Sequence, residues 1–555
     1  MQKTYTNPRF AYRRSDDQHP GAAAHHPVVI VGAGPVGIAL AIDLGVLGVK
    51  TVLLDDNNTV SIGSRAVCHA KRTLEILDRL GCGEAVVNRG VVWNVGKVFF
   101  QGRKVYEFDL LPEPGHKRPA FINLQQYHFE ELLLKRLAET GNCDLRWLNN
   151  VVAVEAEADG AALTVDTPDG PYRLTCDWLV AADGPKSTVR ESLGLDFEGQ
   201  VFKDRFLIAD VVMKADFPAE RWFWFDPPFH RNQSALLHRQ ADHVWRLDFQ
   251  LGPQADPELE KMPERVIPRV RAMLGDGRDF ELEWVSVYTF QCRRMQRFVH
   301  GRVLFAGDAA HQVSPFGARG ANSGVQDADN LAWKLKLVLD GRAPARLLES
   351  YSDERGCAAD ENIRNSTRST DFISPKSRMS RVYRDAVLSL AERHPFARSL
   401  VNSGRLSLPA TYEDSALNTA DGGAFAPGMR PGSPCADAPV EIDGRRAWLI
   451  DSLRHPAAPA FTGLLFVNSA PSPAFEAAFD VLASAPIPLR TLVIARGPER
   501  RPGTVADLDG LAFKRYDAQP GTYYLIRPDQ HVAARWRTFD AGLVASALAR
   551  ATANG

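Results

Sequence analysis

Apolar runs alternate with glycine-containing turns along the first half of the chain, and this pattern predicts a buried sheet. Val28–Val31 is a short, β-branched run, which is typical of a strand covered on both faces. Helical spacing of apolar residues follows it, and Thr51–Leu54 is a second apolar run. Two further runs, at 176–182 and 301–306, lead into an Asp-Gly and a Gly-Asp turn. We therefore predict an α/β fold built around buried strands.

A shorter period occurs between 199 and 290, where apolar and polar residues alternate. In Val244–Leu251, Trp245, Leu247, Phe249 and Leu251 face one way and Val244, Arg246, Asp248 and Gln250 the other. This alternation predicts an inserted sheet of short antiparallel strands. Its aromatic residues are candidates for the wall of a pocket for a planar ligand, although most are expected in the core: Trp222, Phe223, Trp224, Phe225, Phe229 and Trp245.

The pattern of apolar and polar residues after residue 344 completes the prediction of the domain organisation. Helical spacing covers 344–403, turn formers dominate 404–438, and short strands return after 439, with a helix predicted at 541–551. Strands are predicted there at 447–450, 463–467, 491–495, 523–526 and 532–536. The predicted segments are a flexible tail (1–26), a first domain in two parts (27–198 and 291–403) around the inserted sheet (199–290), a linker (404–438) and a C-terminal domain (439–555).

The composition excludes several classes of protein. The 555 residues contain 66 Lys and Arg against 67 Asp and Glu, and a net charge of −1 gives no basic field for nucleic acid or a membrane surface. The seven cysteines are far apart, so we expect neither a disulfide framework nor a metal site. The apolar stretch 28–49 contains Asp43 and five glycines, and residues 1–26 lack an apolar signal-peptide core. A cytoplasmic protein is the expectation.

The turn after the first strand predicts a dinucleotide site. It is a G-x-G-x-x-G segment, Gly32-Ala33-Gly34-Pro35-Val36-Gly37, and the next strand ends in Asp55. Gly32 permits the tight turn, Gly34 lets the backbone approach a pyrophosphate, and Gly37 lets the helix pack closely on the strand. The N-terminus of the helix then presents free N–H groups to the phosphates, and Asp55 lies at a distance that suits a ribose.

Two later turns identify the dinucleotide. Asp183-Gly184 precedes Ser187 and Arg190, and Gly307-Asp308 precedes a loop, 315–324, that leads into a helix. With the three segments in this order, residues 27–400 resemble the single-component FAD-dependent aromatic hydroxylases, most of all the phenol hydroxylase and 3-(3-hydroxyphenyl)propionate hydroxylase branch. The resemblance implies a Rossmann-like FAD-binding domain with an inserted antiparallel substrate sheet and a C-terminal thioredoxin-like domain.

The resemblance also implies a set of FAD-binding residues. The pyrophosphate would lie against Gly32, Gly34, Pro35 and Gly37, and Asp55 would bind the adenosine ribose. The 317–324 loop would direct backbone N–H groups at the flavin N1/O2 edge, which becomes anionic on reduction. The remaining cofactor-binding residues that the resemblance implies are Arg65, Gln126, Asp183, Gly307, Asp308, Gly320, Ala321 and Asn322.

The implied reaction is the hydroxylation of a phenolic ring. NADH or NADPH would reduce FAD from a transient site, because the chain has no second G-x-G-x-x-G, and O₂ would form a flavin C4a-hydroperoxide that the ring attacks. A base that ionises the phenol would make the ring a better nucleophile. The candidate catalytic and substrate-binding residues are His69, His238, Tyr288, Arg246 and Pro315, with Arg293 and Arg294 as alternatives to Arg246 for a substrate carboxylate.

The chain departs from the pattern of the family in three places. The phenol hydroxylase branch has an Asp about where Val67 stands, so the identity of the base is open. The usual G-Q-G-x-N reads Ala318-Arg319-Gly320-Ala321-Asn322, which would put a cation near the flavin edge or the mouth of the substrate site. The usual Pro-Pro reads Ser314-Pro315, after His311, for which we expect a structural role.

Other functions stay open at this point. One is a monooxygenase of a larger polyketide-like ring, including Baeyer–Villiger insertion. Another is a flavin-dependent halogenase, because Trp222–Pro227 approaches a W-x-W-x-I-P signature with Asp226 in place of Ile. The last is a flavoprotein that binds FAD without catalysis. The family further implies a homodimer, and the C-terminal domain lacks a cysteine pair for thiol redox chemistry.

Overall fold

The computed structural model describes residues 4–19, 21–22, 24–275, 277–401, 407–454, 459–468, 473–497 and 504–555. Residues 1–3, 20 and 23 of the predicted tail lie outside the described residues. So do residues 402–406, at the boundary between the predicted helical segment and the linker. The boundaries of the predicted domains stay predictions.

The described ranges contain 26 strands. In chain order they are β1 (His25–Val31), β2 (Thr51–Asp55), β3 (Cys68–Ala70), β4 (Val91–Trp93), β5 (Val95–Phe100), β6 (Arg103–Asp109), β7 (Phe121–Asn123), β8 (Cys143–Trp147), β9 (Asn150–Glu157), β10 (Gly160–Asp166), β11 (Tyr172–Ala181), β12 (Glu198–Val212), β13 (Arg221–Phe225), β14 (Ser234–Arg239), β15 (Val244–Leu251), β16 (Glu281–Arg294), β17 (Val299–His300), β18 (Val303–Phe305), β19 (His311–Gln312), β20 (Pro439–Ile442), β21 (Arg445–Trp448), β22 (Phe461–Val467), β23 (Leu489–Arg496), β24 (Val505–Asp507), β25 (Tyr523–Ile526) and β26 (Val532–Trp536).

Helices connect and cover these strands. They are α1 (Pro35–Val46), α2 (Lys71–Leu80), α3 (Gly83–Arg89), α4 (Gln126–Thr140), α5 (Thr188–Ser192), α6 (Pro257–Glu260), α7 (Pro263–Leu274), α8 (Gly320–Leu339), α9 (Glu349–Ile373), α10 (Arg378–Ala391), α11 (Pro395–Leu400), α12 (Leu449–Ser452), α13 (Pro473–Ala483), α14 (Leu511–Arg515) and α15 (Ala541–Ala551). Short 3₁₀ turns occur at Asp16–Gln18, Gly307–Ala309 and Ala345–Leu348. Among the described residues, no helix combines the length and the apolar character needed to cross a bilayer.

The first sheet contains the apolar runs predicted from the sequence. Its main path is β17-β18-β11-β1-β2-β8, and β11, β1, β2 and β8 pair in parallel, as do β11 and β18. Val28–Val31 are buried because α1, α4 and α8 pack around these strands in one apolar core. A strand covered on both faces needs apolar side chains on both, which explains the continuous runs.

The second sheet contains the predicted antiparallel strands and two more. Its order is β19-β16-β12-β15-β14-β13-β5-β6, so β5 and β6 join it from a segment that the sequence assigned to the first domain. β13 pairs in parallel with β5, and the other neighbours are antiparallel. The predicted alternation is confirmed in β15: Trp245, Leu247, Phe249 and Leu251 pack with α7 on one face. The opposite face carries the polar residues.

The C-terminal segment forms a mixed sheet of order β21-β20-β24-β23-β22-β25-β26. β22, β23 and β24 are parallel and the other pairs are antiparallel. Most of the predicted strands and the helix at 541–551 are confirmed, whereas the predicted strand 447–450 ends at Trp448, where α12 begins. Buried ion pairs join this sheet to the first domain, as between Arg527 and Glu354 at 2.6 Å.

The N-terminal segment differs from the predicted flexible tail, because residues 4–19 contact the first domain and the second sheet. Tyr5 stacks on Tyr127 with ring centroids 4.3 Å apart, and Phe10 stacks on Trp147 at 4.6 Å. The Thr4 hydroxyl donates a hydrogen bond of 2.6 Å to Glu283 in β16. Aromatic stacking of this kind stabilises an extended segment that has no hydrophobic period of its own.

Candidate functional site

Three turns meet at one edge of the first sheet. Because β1, β11 and β18 run parallel and in register, Val31, Ala181 and Phe305 lie side by side near their carboxyl ends. Ala182 N–H donates to Val31 O at 2.8 Å, and Ala306 N–H donates to Ala181 O at 2.9 Å. Ligands of open parallel sheets bind outside the carboxyl ends of the strands. The three segments singled out in the sequence therefore border one crevice.

The glycines of the first turn combine close packing with an open approach. A Cβ on Gly37 would lie 1.9 Å from Gly32 O, and a Cβ on Gly32 would lie 2.4 Å from Ala182 O. Gly32 also has a φ of +103°, which favours glycine. Around Gly34, in contrast, no atom of the described chain outside the immediate neighbours comes within 4 Å of such a Cβ. The backbone is therefore accessible where α1 begins.

Asp55 lies beside this turn at the end of β2. Its Oδ2 accepts a hydrogen bond of 2.6 Å from Ala33 N–H, and its Oδ1 accepts one of 2.8 Å from Asn57 N–H. Burial raises the pKa of Asp55 to about 6. The carboxylate is thus fixed next to the start of α1, as the spacing of the motif predicts.

The start of α8 is a second source of free backbone donors. The first intrahelical bond runs from Ser323 N–H to Arg319 O at 2.8 Å, so the N–H groups of 320–322 precede the helical ladder. They lie at the positive end of the helix dipole. A Cβ on Gly324 would lie 2.4 Å from Val36 Cγ2 in α1, so α1 and α8 begin close together.

Asn322 has a structural role that the sequence did not reveal. Its Nδ2 donates to the backbone carbonyls of Cys68 (2.8 Å) and Ala318 (2.6 Å). Its Oδ1 accepts from Ala70 N–H at 2.8 Å and from the Thr73 hydroxyl at 2.7 Å. The side chain joins α8 to β3 and α2, which leaves only its backbone N–H for a cofactor.

Arg65 lies in the loop between β2 and β3, and Gln126, at the start of α4, contacts that loop. Gln126 Oε1 accepts a hydrogen bond of 3.0 Å from Ala66 N–H, so Gln126 holds the loop that carries Arg65. Arg65 itself is exposed. Burial raises the pKa of Asp308, and the charges of His311 and, more weakly, Arg65 oppose that effect.

Asp183 and Asp308 border the crevice from the second and third turns. Asp183 Oδ2 accepts a hydrogen bond of 3.2 Å from Val189 N–H, and burial raises its pKa. Asp308 is exposed, and the protein atoms packed around its carboxyl raise its pKa. Gly307 N–H donates to Asp327 Oδ2 at 2.9 Å, which fixes the third turn to α8. His311 also binds Asp327, at 2.7 Å, so its predicted structural role is confirmed.

A cleft of about 550 Å³, partly open to solvent, lies between the second sheet and the loop before α8. Its wall is largely aromatic, with Phe223, Phe225 and Phe316, and Lys97, Arg221 and Ser369 add polar groups. The cleft therefore lies next to the crevice and can hold a planar ligand.

Only some of the aromatic residues predicted for the wall reach the cleft. Phe223 and Phe225 line it, whereas four others pack against α7 on the opposite face of the sheet: Trp222, Trp224, Phe229 and Trp245. The alternation of side chains along β13 explains the division, because neighbouring residues of a strand face opposite sides.

His69 is not placed to act as a base in the cleft. It is buried, stacks on Phe129 with centroids 4.2 Å apart, and lies 3.2 Å from Leu124 O through Nε2. Burial lowers its pKa to about 4. For His69, these contacts favour a packing role over a place beside the flavin.

His238, Arg246 and Tyr288 lie together on the face of the second sheet that points to the first domain. Arg246 is already engaged: it donates to Ser64 O and pairs with Asp248, with Nε 3.1 Å from Oδ1. It therefore holds the loop before Arg65 rather than presenting a free cation to a substrate. Burial, together with the charges of Arg221 and Arg246, keeps the pKa of His238 well below its usual range, and burial raises that of Tyr288.

The alternative arginines of β16 are also engaged. Arg293 Nε donates to Gln312 Oε1 at 2.9 Å, and its guanidinium lies 4.6 Å from the ring centroid of Phe197. Arg294 forms an ion pair with Asp360, with Nε 2.6 Å from Oδ1. These interactions fix the end of β16. Neither Arg293 nor Arg294 is therefore placed to bind a substrate in the described cleft.

The unusual loop before α8 contains a buried cation and a strained alanine. Arg319 Nη1 donates to Phe316 O at 2.8 Å, and Arg319 is only 2% exposed, so it packs under the loop instead of pointing out of the mouth. Ala318 has a φ of +53°, a left-handed conformation that glycine adopts more easily. Pro315 O accepts from Ala318 N–H at 3.1 Å and closes this turn.

Sequence reasoning missed several residues of the cleft. The alternation of β13 places Arg221 on the same face as Phe223 and Phe225, and that signal was available. Lys97 and Ser369 come from β5 and α9, and only the tertiary structure brings these elements to the cleft.

Three features of the crevice fit FAD. Open space above the start of α1 at Gly34 suits a pyrophosphate, and the fixed carboxylate of Asp55 suits the hydroxyls of a ribose. The N–H groups of 320–322, beside the cleft, suit an anionic edge of the flavin ring. Each group is the donor or acceptor that the corresponding part of FAD requires.

Comparisons with known proteins agree with this fit. Residues 25–366 match the family described as FAD binding domain. The chain is 31% identical over 544 residues to 6-methylpretetramide 4-monooxygenase of Streptomyces rimosus, covering 93% of this chain and 92% of that protein. It is 28% identical to the 3-(3-hydroxy-phenyl)propionate/3-hydroxycinnamic acid hydroxylase of Mycolicibacterium smegmatis, over 72% of this chain and 70% of that protein.

A solved structure shows the same fold. The flavin-dependent monooxygenase PieE, in complex with FAD and substrate, superposes with a TM-score of 0.81 at 22% identity. The match covers 97% of this chain and all of PieE, so the fold is shared over nearly the whole length, including the C-terminal sheet.

Proposed function

The chain belongs to the FAD binding domain family of flavin-dependent monooxygenases, and we propose that it hydroxylates a phenolic aromatic ring with FAD, NADH or NADPH, and O₂. The convergence of the three turns on one crevice, beside an aromatic cleft, is the observation that supports this proposal most strongly. One oxygen atom would enter the ring and the other would leave as water, with the nicotinamide nucleotide supplying two electrons.

FAD would be held by both helix starts. Gly32, Gly34 and Gly37 would receive the pyrophosphate, Asp55 the adenosine ribose and Asp308 the ribityl chain, and Arg65 would lie near the ribityl and phosphate region. When bound, FAD supplies the transfer of electrons from the nicotinamide nucleotide to O₂. The N–H groups of 320–322 would stabilise negative charge at the flavin edge.

The cleft would orient the ring and limit access of water. Phe223, Phe225 and Phe316 provide apolar faces for stacking against an aromatic substrate. His238 and Tyr288 are candidates for contact with the substrate, but neither is a base near neutral pH, because burial lowers the pKa of the first and raises that of the second. We therefore assign these two residues to binding and orientation of the substrate and not to proton abstraction.

A larger, polyketide-like ring is the second candidate substrate. The similarity to 6-methylpretetramide 4-monooxygenase covers 93% of this chain, against 72% for the hydroxyphenylpropionate hydroxylase. The cleft is partly open to solvent, so part of a larger ring can extend beyond its aromatic walls. We include in the proposal a Rossmann-like arrangement for the FAD domain, a thioredoxin-like C-terminal domain and a homodimer.

An isotope experiment tests the proposed function. FAD-loaded protein is incubated with NADH or NADPH and ¹⁸O₂, and with two panels, one of simple phenols and phenolic acids and one of fused-ring phenols. We expect one ¹⁸O atom per product in at least one panel, and none when ¹⁶O₂ is used in H₂¹⁸O. Nucleotide oxidation that yields only peroxide with both panels would contradict the proposal.

A further inference from the structure

We propose that Arg221 recognises an anionic oxygen of the aromatic substrate and holds a phenol in its ionised form. The inference rests on the proposed function and deepens it. Arg221 begins β13, lines the cleft beside Phe223 and is partly buried. Its one side-chain hydrogen bond within the described residues is from Nη1 to Cys68 Sγ, at 3.8 Å, and sulfur is a weak acceptor.

The two cations that line the described cleft, Lys97 and Arg221, differ in their partners. Lys97 Nζ lies 2.7 Å from Glu220 Oε2, and Arg246 pairs with Asp248. For the part of the chain that the structure describes, no carboxylate lies within ion-pair distance of Arg221. A partly buried guanidinium without a counter-ion favours an anionic ligand, because it has lost part of its hydration without gaining a partner.

A chain of contacts connects Arg221 to the start of α8. The Sγ of Cys68 contacts Arg221, and the carbonyl of Cys68 accepts a hydrogen bond of 2.8 Å from Asn322. Asn322 is in the first turn of α8, whose N–H groups would face the flavin edge. A ligand oxygen bound to Arg221 would therefore share the cleft with Phe316 and Gly317 of the loop before α8.

A fixed cation would perform the task of the missing base. Val67 stands where the related branch has an Asp, and His69 and His238 are buried with lowered pKa values. A nearby positive charge lowers the pKa of a phenol, so the phenol releases its proton to solvent without a protein base. The resulting phenolate reacts faster with an electrophilic oxygen than the neutral phenol does.

Equilibrium binding of 4-nitrophenol to the FAD-loaded protein tests the inference, because its phenolate is coloured and no reductant is needed. We expect the bound probe to ionise about one pH unit or more below the free probe. In Arg221→Gln this shift should disappear and the phenolate should bind about 10- to 100-fold more weakly. Arg221→Lys should retain part of the shift.

Two controls separate a charge effect from a folding defect. Arg103→Gln changes an exposed arginine of the same sheet and should behave like the unsubstituted protein. 4-Nitroanisole, which cannot ionise, should bind the Arg221→Gln variant as well as it binds the unsubstituted protein. FAD content is measured for every variant.

Several results would overturn the inference. It is contradicted if bound 4-nitrophenol ionises at the same pH in Arg221→Gln as in the unsubstituted protein. It is also contradicted if 4-nitroanisole loses affinity for Arg221→Gln in parallel with 4-nitrophenol, or if the unsubstituted protein does not bind the phenolate form. None of these results bears on ¹⁸O incorporation with other rings, so the proposed function can survive the loss of this inference.

Discussion

The side-chain amide of Asn322 donates a hydrogen bond of 2.8 Å to the backbone carbonyl of Cys68, which joins the start of α8 to β3. The same amide also donates to Ala318 O, so one side chain fixes the loop whose backbone would face the flavin. The position of that loop depends on an amide group that can donate and accept at once.

We expect Asn322→Asp to weaken FAD binding and stability together. A carboxylate cannot donate, so two buried carbonyls would lose their donor at a cost of about 2–5 kcal/mol. Denaturant unfolding and FAD titration measure both effects. Asn88→Asp, at an exposed position in α3, should change stability by about 0.5 kcal/mol or less. Equal effects of the two substitutions would contradict this role.

Gly37→Ala should produce a protein with little bound FAD. The new Cβ would lie 1.9 Å from Gly32 O, so the turn and α1 would have to move apart where the pyrophosphate would bind. Overpacking of this kind typically costs about 1–3 kcal/mol. The absorbance ratio of flavin to protein after purification is the measurement. Gly356→Ala, where no atom outside the helix backbone lies within 4 Å of the new Cβ, is the matched control, and a normal flavin content in Gly37→Ala would refute the prediction.

Ala318→Gly should stabilise the protein. Ala318 has a φ of +53°, a conformation that costs a residue with a side chain about 1–2 kcal/mol. Glycine avoids this cost but loses more backbone entropy on folding, which offsets about 0.5–1 kcal/mol of the gain. We expect a net gain of up to about 1 kcal/mol in the free energy of unfolding. The same change at Ala386, exposed in α10, should destabilise by about 1 kcal/mol. Destabilisation at both positions would argue against strain at Ala318.

Glu354→Gln should loosen the C-terminal sheet from the first domain. Glu354 lies between Arg527, at 2.6 Å, and Lys334, at 2.8 Å, and all three side chains are buried. Breaking a buried pair of this kind costs about 3–5 kcal/mol. Glu155→Gln removes one partner of the exposed pair with Arg173 and should cost at most about 1 kcal/mol.

The difference between the unsubstituted protein and Glu354→Gln should depend on pH. Burial opposes ionisation of Glu354, but the charges of Arg527 and Lys334 hold its pKa well below the usual range. A carboxylate with a lowered pKa contributes stability that is present above its unfolded pKa, about 4.3, and is lost as the pH falls below that value. Unfolding measured between pH 7 and pH 3 should therefore show the difference shrinking, and a constant difference would contradict this assignment.

The sequence was sufficient for those parts of the site that depend on local chain geometry. The turns after β1, β11 and β18 each need glycine or aspartate within a few residues of a buried strand, and such signals are local. Their convergence follows from the parallel pairing of the strands. The terminal helix, Ala541–Ala551, was likewise set by its own apolar spacing.

The cleft was less predictable because distant segments form it. β5 and β6 join the second sheet through pairing of β5 with β13, and nothing in Val95–Phe100 alone specifies that partner. The N-terminal segment packs through single aromatic residues, such as Tyr5 against Tyr127, that have no period. The sequence makes Arg246 a candidate substrate ligand, and only the fold shows that Asp248 and Ser64 O already engage it.

The crystal structure of the FAD complex is the most direct test of the central claim. The account predicts the pyrophosphate at Gly34, the ribose at Asp55, and the flavin N1/O2 edge within hydrogen-bond distance of the N–H groups of 320–322, facing the cleft that Arg221 lines. A flavin ring bound elsewhere, or with that edge turned away from α8, would contradict it.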